Sequence, residues 1–310
     1  MDTNRFFQST LKIKPIWKLV DFSKKLTLPG FNSIPLFDVL VFFSRALKRG
    51  EITNRASSLS FNFFLAIFPG VIFLFTLIPY IPIDNFQEEL LELLKEILPS
   101  NAYEAAHTTI DDILNQPRGG LLSFGFIITI YFAMNGVIAM IKGFNNSYYE
   151  IETRGFVMQH VVALILVIIL TTLILTAVSL MIFSGTLLNY LVVKNIVSDS
   201  LTITLLEIGK WLIILILLFL SFSFLYYFAP SKKSKFRFIS AGSTFATILS
   251  INTSLGFAFY VNNFGQYNKL YGSIGTLMVI LLWIYFNSII LLAGFDLNAS
   301  IENAKKKPIN

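Results

Sequence analysis

The sequence contains no cysteine, so disulfide bonds and thiolate metal sites are excluded for this chain. It has only two histidines, His107 and His160, which are too few to form a metal cluster unaided. No phosphate-binding glycine loop and no Ser/His/Asp grouping stands out in the sequence. We therefore predict no catalytic residue, no metal and no cofactor, and we expect that the protein is not an enzyme.

Charge is also scarce. Only 14% of the 310 residues are charged, whereas soluble domains carry about 25%. Hydrophobic residues make up 55% of the chain, and the mean hydropathy is +0.70. Because the apolar residues come in long blocks, this composition is typical of a membrane protein.

Six of these blocks are long enough to cross a bilayer. About twenty apolar residues in a helix span a hydrocarbon core of about 30 Å. The fold class predicted is an all-α polytopic membrane protein with six transmembrane helices and both termini cytoplasmic. The predicted spans are approximately 57–79, 120–141, 157–183, 201–228, 239–261 and 271–299.

The remaining segments suggest how the chain is organised around these spans. Residues 1–33 and 303–310 are predicted to be basic cytoplasmic tails flanking a membrane domain of residues 34–302. The short apolar stretch 34–47 is interrupted by polar residues, which favours an amphipathic helix at the membrane interface. The acidic segment 83–118 shows helical periodicity, so we expect an external cap of amphipathic helices.

The orientation is predicted from the distribution of Lys and Arg. With both termini inside, 19 of the 24 Lys and Arg residues fall on the cytoplasmic side. This bias follows the positive-inside rule. It also weakens a nucleic-acid-binding interpretation of the net charge of +6, because the positive charge lies mostly in loops that the topology requires to be basic.

Several motifs resemble the YihY/BrkB family of bacterial inner-membrane proteins. The most specific are YGSIG at 271–275, LLWIY at 281–285 and GFDLNA at 294–299. Further similarity is carried by ASSLSFNFFLAIFPG at 56–70 and YYFAPSKKSKFRFISAG at 226–242. The family closes on Ala-Glu where this chain has Phe-Asp, and its loop before the fifth span is richer in Arg.

This resemblance covers roughly residues 45–302 and implies six spans with both termini inside. It does not imply a settled activity. The family has carried the labels ribonuclease BN and virulence factor, and transport has been suggested for it. We disfavour a nuclease function, because the acidic segment 83–118 is predicted on the external face and its acidic residues have the spacing of a solvated helix surface.

Polar side chains inside the predicted spans are the main candidates for a functional site. Unpaired amides in hydrocarbon cost several kcal/mol, so these need partners or water. They either join neighbouring helices or line a polar cavity open to the cytoplasm, and the sequence leaves both readings open. The candidates are Asn62, Asn135, Asn252, Asn287 and, at the cytoplasmic end of the last span, Asp296.

Other residues are predicted to shape the site or contact lipid. Pro69 and Gly70 are expected to kink the first span. Asp296 is expected to form an ion pair with a basic residue of a neighbouring loop, or to bind a cation. The outer turn before the last span is predicted at Tyr271, Gly272 and Gly275. Candidate contacts for anionic lipid are Lys232, Lys233, Lys235 and Arg237.

These observations favour a protein of the bacterial cytoplasmic (inner) membrane that moves or senses an amphiphilic or lipid-linked molecule. A structural or scaffold protein without transport is the alternative, and a membrane enzyme is a remote one. The expected partners are membrane lipids and a substrate of unknown identity, and no nucleic acid. The sequence leaves the oligomeric state open.

Overall fold

The computed structural model describes residues 23–24, 26–27, 30–31, 34–49, 52–77, 119–147, 154–194, 200–231, 238–263 and 266–306. No β-strand forms among these residues, apart from an isolated bridge between Thr27 and Pro35. The all-α class is confirmed. The described helices are α1 (Leu36–Arg49), α2 (Ile52–Leu77), α3 (Gly119–Ser147), α4 (Phe156–Val193), α5 (Ser200–Phe228), α6 (Ala241–Asn263) and α7 (Gln266–Lys306).

The six helices α2 to α7 are each long and apolar enough to cross a membrane, which confirms the six predicted spans. Two of them are much longer than a bilayer requires. With 38 and 41 residues, α4 and α7 measure about 57 and 62 Å at the standard rise. Both helices therefore extend well beyond a hydrocarbon core of about 30 Å.

The six spanning helices form a closed ring. Each helix from α2 to α6 packs against the next in the chain, and α7 packs against α2 to complete the circle. Helix α1 packs on the C-terminal part of α7. Phe31 and Ile34, which precede α1, and Val39 of α1 lie in one buried cluster with Leu297 and Ile301 of α7. We call the end of the ring where α1 lies the proximal end, and the opposite end the distal end.

Helices α2 and α3 lie against each other along most of their length. Contacts join Phe63 to Gly136 near the middle and Phe73 to Gly125 nearer the distal end. A Cβ atom at Gly136 would lie 2.8 Å from the ring of Phe63, so only glycine permits this approach. Pro69 lies inside α2, which the structure shows as one helix from residue 52 to residue 77.

Helices α6 and α7 are joined by small residues that recur every fourth position on α6. Gly242, Ala246, Ser250 and Ser254 all face α7, where the backbones approach closely. A Cβ atom at Gly242 would overlap the carbonyl oxygen of Gly294. Small side chains at such spacing allow membrane helices to pack at short distance.

The structure corrects one local prediction and leaves others outside its scope. Tyr271, Gly272 and Gly275 are helical and lie within α7, which begins at Gln266, so the predicted turn is not at these residues. The helix begins five residues before Tyr271 and continues through both glycines, which are tolerated inside a helix. The predicted external cap at 83–118 and the basic cluster Lys232, Lys233, Lys235 and Arg237 lie outside the described residues.

Candidate functional site: the closed end of the helix ring

A buried ion pair joins three helices at the proximal end. The guanidinium of Arg55 on α2 contacts the carboxylate of Asp296 on α7 through Nη2–Oδ2 at 2.7 Å and Nη1–Oδ1 at 3.4 Å. Nη1 also donates to the backbone carbonyl of Gly143 on α3 at 2.9 Å. The two side chains are only 6% and 0% exposed. The contact therefore links α2, α3 and α7 where water is largely excluded.

The sequence places both charges at this depth for simple reasons. Arg55 lies in the first turn of α2, and Asp296 follows the long apolar run of α7, so each stands at the proximal end of its span. Gly143 lets α3 approach, because a Cβ atom there would lie 3.1 Å from the side chain of Leu292. The two-nitrogen contact uses the planar fork of arginine, which lysine lacks.

Aromatic side chains fill the centre of the ring beside this ion pair. The rings of Phe144 and Phe295 stack with their centroids 4.2 Å apart, and Tyr226 packs against both. The hydroxyl of Tyr226 donates to the carbonyl of Leu291 at 2.8 Å. All three aromatic residues are almost completely buried. We call Arg55, Phe144, Tyr226, Phe295 and Asp296 the proximal plug.

A second polar cluster fixes α6 to α7 on the proximal side. The amide oxygen of Asn298 accepts a hydrogen bond from the backbone N–H of Gly242 at 2.7 Å. Its amide nitrogen donates to the Ser240 hydroxyl at 2.9 Å. Asn298 therefore satisfies a backbone donor in the first turn of α6, where helices leave such groups unpaired.

Distal of the proximal plug, the same helix faces become exposed. Tyr226 is 2% exposed, whereas Ile208, Leu212 and Leu215 on the same face of α5 are 44–54% exposed. On α7, Leu277 lies five helical turns before Phe295 on one face; its exposure is 42% against 2% for Phe295. Among the described residues, side chains on these faces are therefore buried at the proximal end and exposed towards the distal end.

The structure does not bring the four predicted amides to one wall. Asn62 is on the face of α2 that carries Arg55, because the two are seven residues apart. Asn287 points to α6, where its oxygen accepts from the Ser250 hydroxyl at 2.7 Å. Asn135 lies on the face of α3 that includes the exposed Tyr131. Asn252 is exposed on α6 and donates to the carbonyl of its own helix at Ile248.

Arg55 was not among the site residues predicted from the sequence, and its pairing with Asp296 was not foreseen. The sequence did contain a signal for this pair. Arg55 lies near the start of the first span and Asp296 near the end of the last span, so the two lie at the same membrane depth when the first span begins on the side where the last span ends. Gly143, Tyr226 and Asn298 were not predicted as site residues. The small residues at 242, 246, 250 and 254 were a second overlooked signal. Among the described residues, no three His, Asp or Glu residues gather as metal ligands would.

Comparison with known proteins agrees with this architecture. A sequence model of the family described as "Virulence factor BrkB" matches residues 43–310. The ribonuclease-like protein YfkH of Bacillus subtilis is 33% identical over 86% of this chain and 95% of its own length. A UPF0761 membrane protein of Aggregatibacter aphrophilus is 23% identical over 87% of this chain and 94% of its own length.

A UPF0761 membrane protein of Prosthecochloris aestuarii is 26% identical over 83% of this chain and 59% of its own length. No solved structure matches the chain. The family match covers most of the chain, including the spans that form the ring and every residue of the proximal plug. The protein is a multi-pass membrane protein that belongs to the BrkB (YihY/BrkB) family.

Proposed function

We propose that this protein is transporter-like and moves an amphiphilic or lipid-linked molecule across the bacterial cytoplasmic membrane. The observation that supports it is the ring of six helices, closed by the proximal plug and exposed towards the distal end. Such an arrangement resembles one state of an alternating-access cycle, in which a central site opens to one side at a time.

The character of the exposed faces supports an amphiphilic substrate. Ile208, Leu212 and Leu215 offer an apolar wall on α5, and Leu277 extends it on α7. The half-buried amide of Asn62 adds a hydrogen-bonding group near the proximal plug. Apolar surface with a few polar groups is the usual composition of a small-molecule pocket. Such a surface accepts a molecule with an apolar part and a polar part.

The orientation follows from charge. Because the predicted topology assigns 19 of the 24 Lys and Arg residues to the side where α2 begins and α7 ends, we assign the proximal end to the cytoplasm. The proximal plug then closes the cytoplasmic side, and the exposed half faces outward. Anionic lipid headgroups are expected partners of the basic proximal segments, and no nucleic acid is expected.

A structural or scaffold role without transport is the alternative. It is favoured by the Ser250–Asn287 hydrogen bond, which joins α6 to α7 as interhelical polar contacts commonly do. An enzymatic role has little support, because the buried carboxylate of Asp296 is engaged by Arg55, and no three His, Asp or Glu residues gather in the described part of the chain.

The accessibility of an introduced cysteine to a water-soluble maleimide distinguishes a transport role from a structural or scaffold role. The natural chain has no cysteine, so Asn62→Cys introduces a unique thiol on the face of Arg55. We expect a water-soluble maleimide to label it rapidly from the distal side and more slowly from the proximal side. Asn135→Cys, on the outward face of α3, is the control and should react from neither side. Labelling of Asn62→Cys from one side only, or from neither, would favour the scaffold.

A further inference from the structure

Two buried serine hydroxyls near the proximal plug have no hydrogen-bond partner among the described residues. They belong to Ser223 on α5 and Ser288 on α7, and the two residues are 0% and 2% exposed. The hydroxyl of a serine in a helix usually donates a hydrogen bond to a backbone carbonyl of the preceding turn. Ser221 does so to the carbonyl of Leu217 at 2.9 Å. A buried hydroxyl without a partner costs about 1–3 kcal/mol, so each of these groups would gain from a hydrogen-bonding partner, either a ligand or an ordered water.

Both hydroxyls belong to the faces that surround the centre of the ring. Ser223 precedes Tyr226 by three residues, and Ser288 precedes Leu291, which accepts the hydrogen bond of Tyr226, also by three residues. Helices α5 and α7 run in the same direction, so the two serines lie within about one helical turn of the same depth. That depth is immediately distal of the proximal plug.

Asn62 is at the same depth on a third helix. It lies seven residues distal of Arg55 on α2, and Ser288 lies eight residues distal of Asp296 on α7. These separations correspond to about 10–12 Å from the ion pair. Three polar side chains from α2, α5 and α7 thus lie where the filled and exposed parts of the ring meet.

The site carries no charge. Distal of the proximal plug, the described spanning helices contain only Glu207 and Lys210 near the distal end of α5, and Lys269 at the start of α7. Glu207 precedes Ser223 by sixteen residues, or about 24 Å along the helix. An anionic headgroup held among hydroxyls and an amide would have no positive counter-charge, and a buried charge without one is costly in a desolvated site.

We propose that Ser223, Ser288 and Asn62 bind the polar end of an amphiphile whose headgroup is uncharged and rich in hydroxyl groups. Its apolar part lies along Ile208, Leu212 and Leu215 on α5. This inference rests on the proposed transport function and specifies the substrate class. The amide nitrogen of Asn62 donates to the Ser58 carbonyl at 2.8 Å, so its oxygen is the atom offered to the headgroup. Hydroxyl groups donate and accept hydrogen bonds, so one headgroup can bond both serines and this oxygen.

The experiment compares two lipids with identical acyl chains, monoglucosyl diacylglycerol and phosphatidylglycerol. The protein is equilibrated with an equal mixture in nanodiscs, and retained lipid is counted by native mass spectrometry. We expect preferential retention of the glycolipid and about a fivefold or greater loss in the double variant Ser223→Ala/Ser288→Ala. Ser221→Ala, on the same helix with a satisfied hydroxyl, should retain lipid as the parent does.

Thermal stability separates binding from a structural role. Because the two hydroxyls have no protein partner, the double alanine variant should unfold at the same or a higher temperature than the parent. Unchanged lipid retention in the double alanine variant would overturn the inference, and so would equal retention of both lipids by the parent. The transport proposal would still stand in that case if Asn62→Cys were labelled from both sides. One-sided labelling together with serine-dependent glycolipid retention would overturn the transport proposal and leave a lipid-binding site.

Discussion

At the residue scale, the ion pair between Arg55 and Asp296 is the central feature. Both charged groups are almost completely removed from water. Each one stabilises the other, because a buried charge without a counter-charge is strongly unfavourable. From the sequence, Asp296 was expected either to pair with a basic residue of a neighbouring loop or to bind a cation. The sequence could not identify Arg55, because the partner lies 241 residues away and is set by how α2, α3 and α7 pack.

Asp296→Asn should destabilise the protein substantially. The substitution preserves size but leaves the guanidinium of Arg55 buried without a counter-charge, for which we expect a loss of about 3 kcal/mol. The midpoint of thermal unfolding in detergent should fall by about 6–12 °C. Glu302→Gln is the matched control. Its partner Lys306 is 3.8 Å away and 65% exposed, so the shift should be small. Equal shifts in both variants would contradict this account.

At the element scale, α6 and α7 are joined by close packing and by hydrogen bonds at several positions along their length. Small residues on α6 allow close approach, Asn298 ties the start of α6 to α7, and Ser250 bonds Asn287 across the interface. The spans and their approximate limits were predictable from hydropathy, because the thickness of the hydrocarbon core sets the length of a spanning helix. The pairing of α6 with α7 was also accessible from the four-residue spacing of small side chains. The helical state of Tyr271–Gly275 was not, since glycines permit either a turn or a helix.

Alanine should destabilise the protein at Gly242 of α6 but not at Gly256 of the same helix. Gly242→Ala forces a methyl group against the carbonyl of Gly294 and against Asn298, and such overpacking costs about 1–3 kcal/mol. Gly256→Ala meets nothing within 4 Å, so it should be neutral or gain up to about 1 kcal/mol from helix propensity. Thermal unfolding of the two purified variants measures the difference. Equal stability of both would show that the crossing is less close than described.

At the scale of the whole molecule, the six spans form a ring that is packed unevenly. The sequence established the number of spans and predicted their orientation, because hydropathy and charge bias are local properties. It could not show where the centre of the ring is filled. A leucine at 215 and a tyrosine at 226 are equally suited to a buried helix face, and only tertiary packing makes one exposed and the other buried.

The predicted orientation is testable by reporter fusions. Fusions after residues 20, 150, 234 and 307 should report a cytoplasmic location, and fusions near residues 100 and 192 an external one. The physical reason is the excess of Lys and Arg in the segments connected to the proximal end. An external location at residue 234 would reverse the assignment of the proximal end to the cytoplasm.

The proximal plug should act as a barrier whose strength depends on its ion pair. In the Asn62→Cys background, Asp296→Asn should raise the rate of maleimide labelling from the proximal side at least about tenfold, because it removes the charge attraction that holds α2 against α7. Exchanging the charges, with Arg55→Asp and Asp296→Arg, should return the rate towards that of the parent. Gly242→Ala supplies the control for general loosening, since it destabilises the fold without touching the ion pair. If Asp296→Asn and Gly242→Ala raised the proximal rate equally, the ion pair would be a structural contact and the barrier would lie elsewhere.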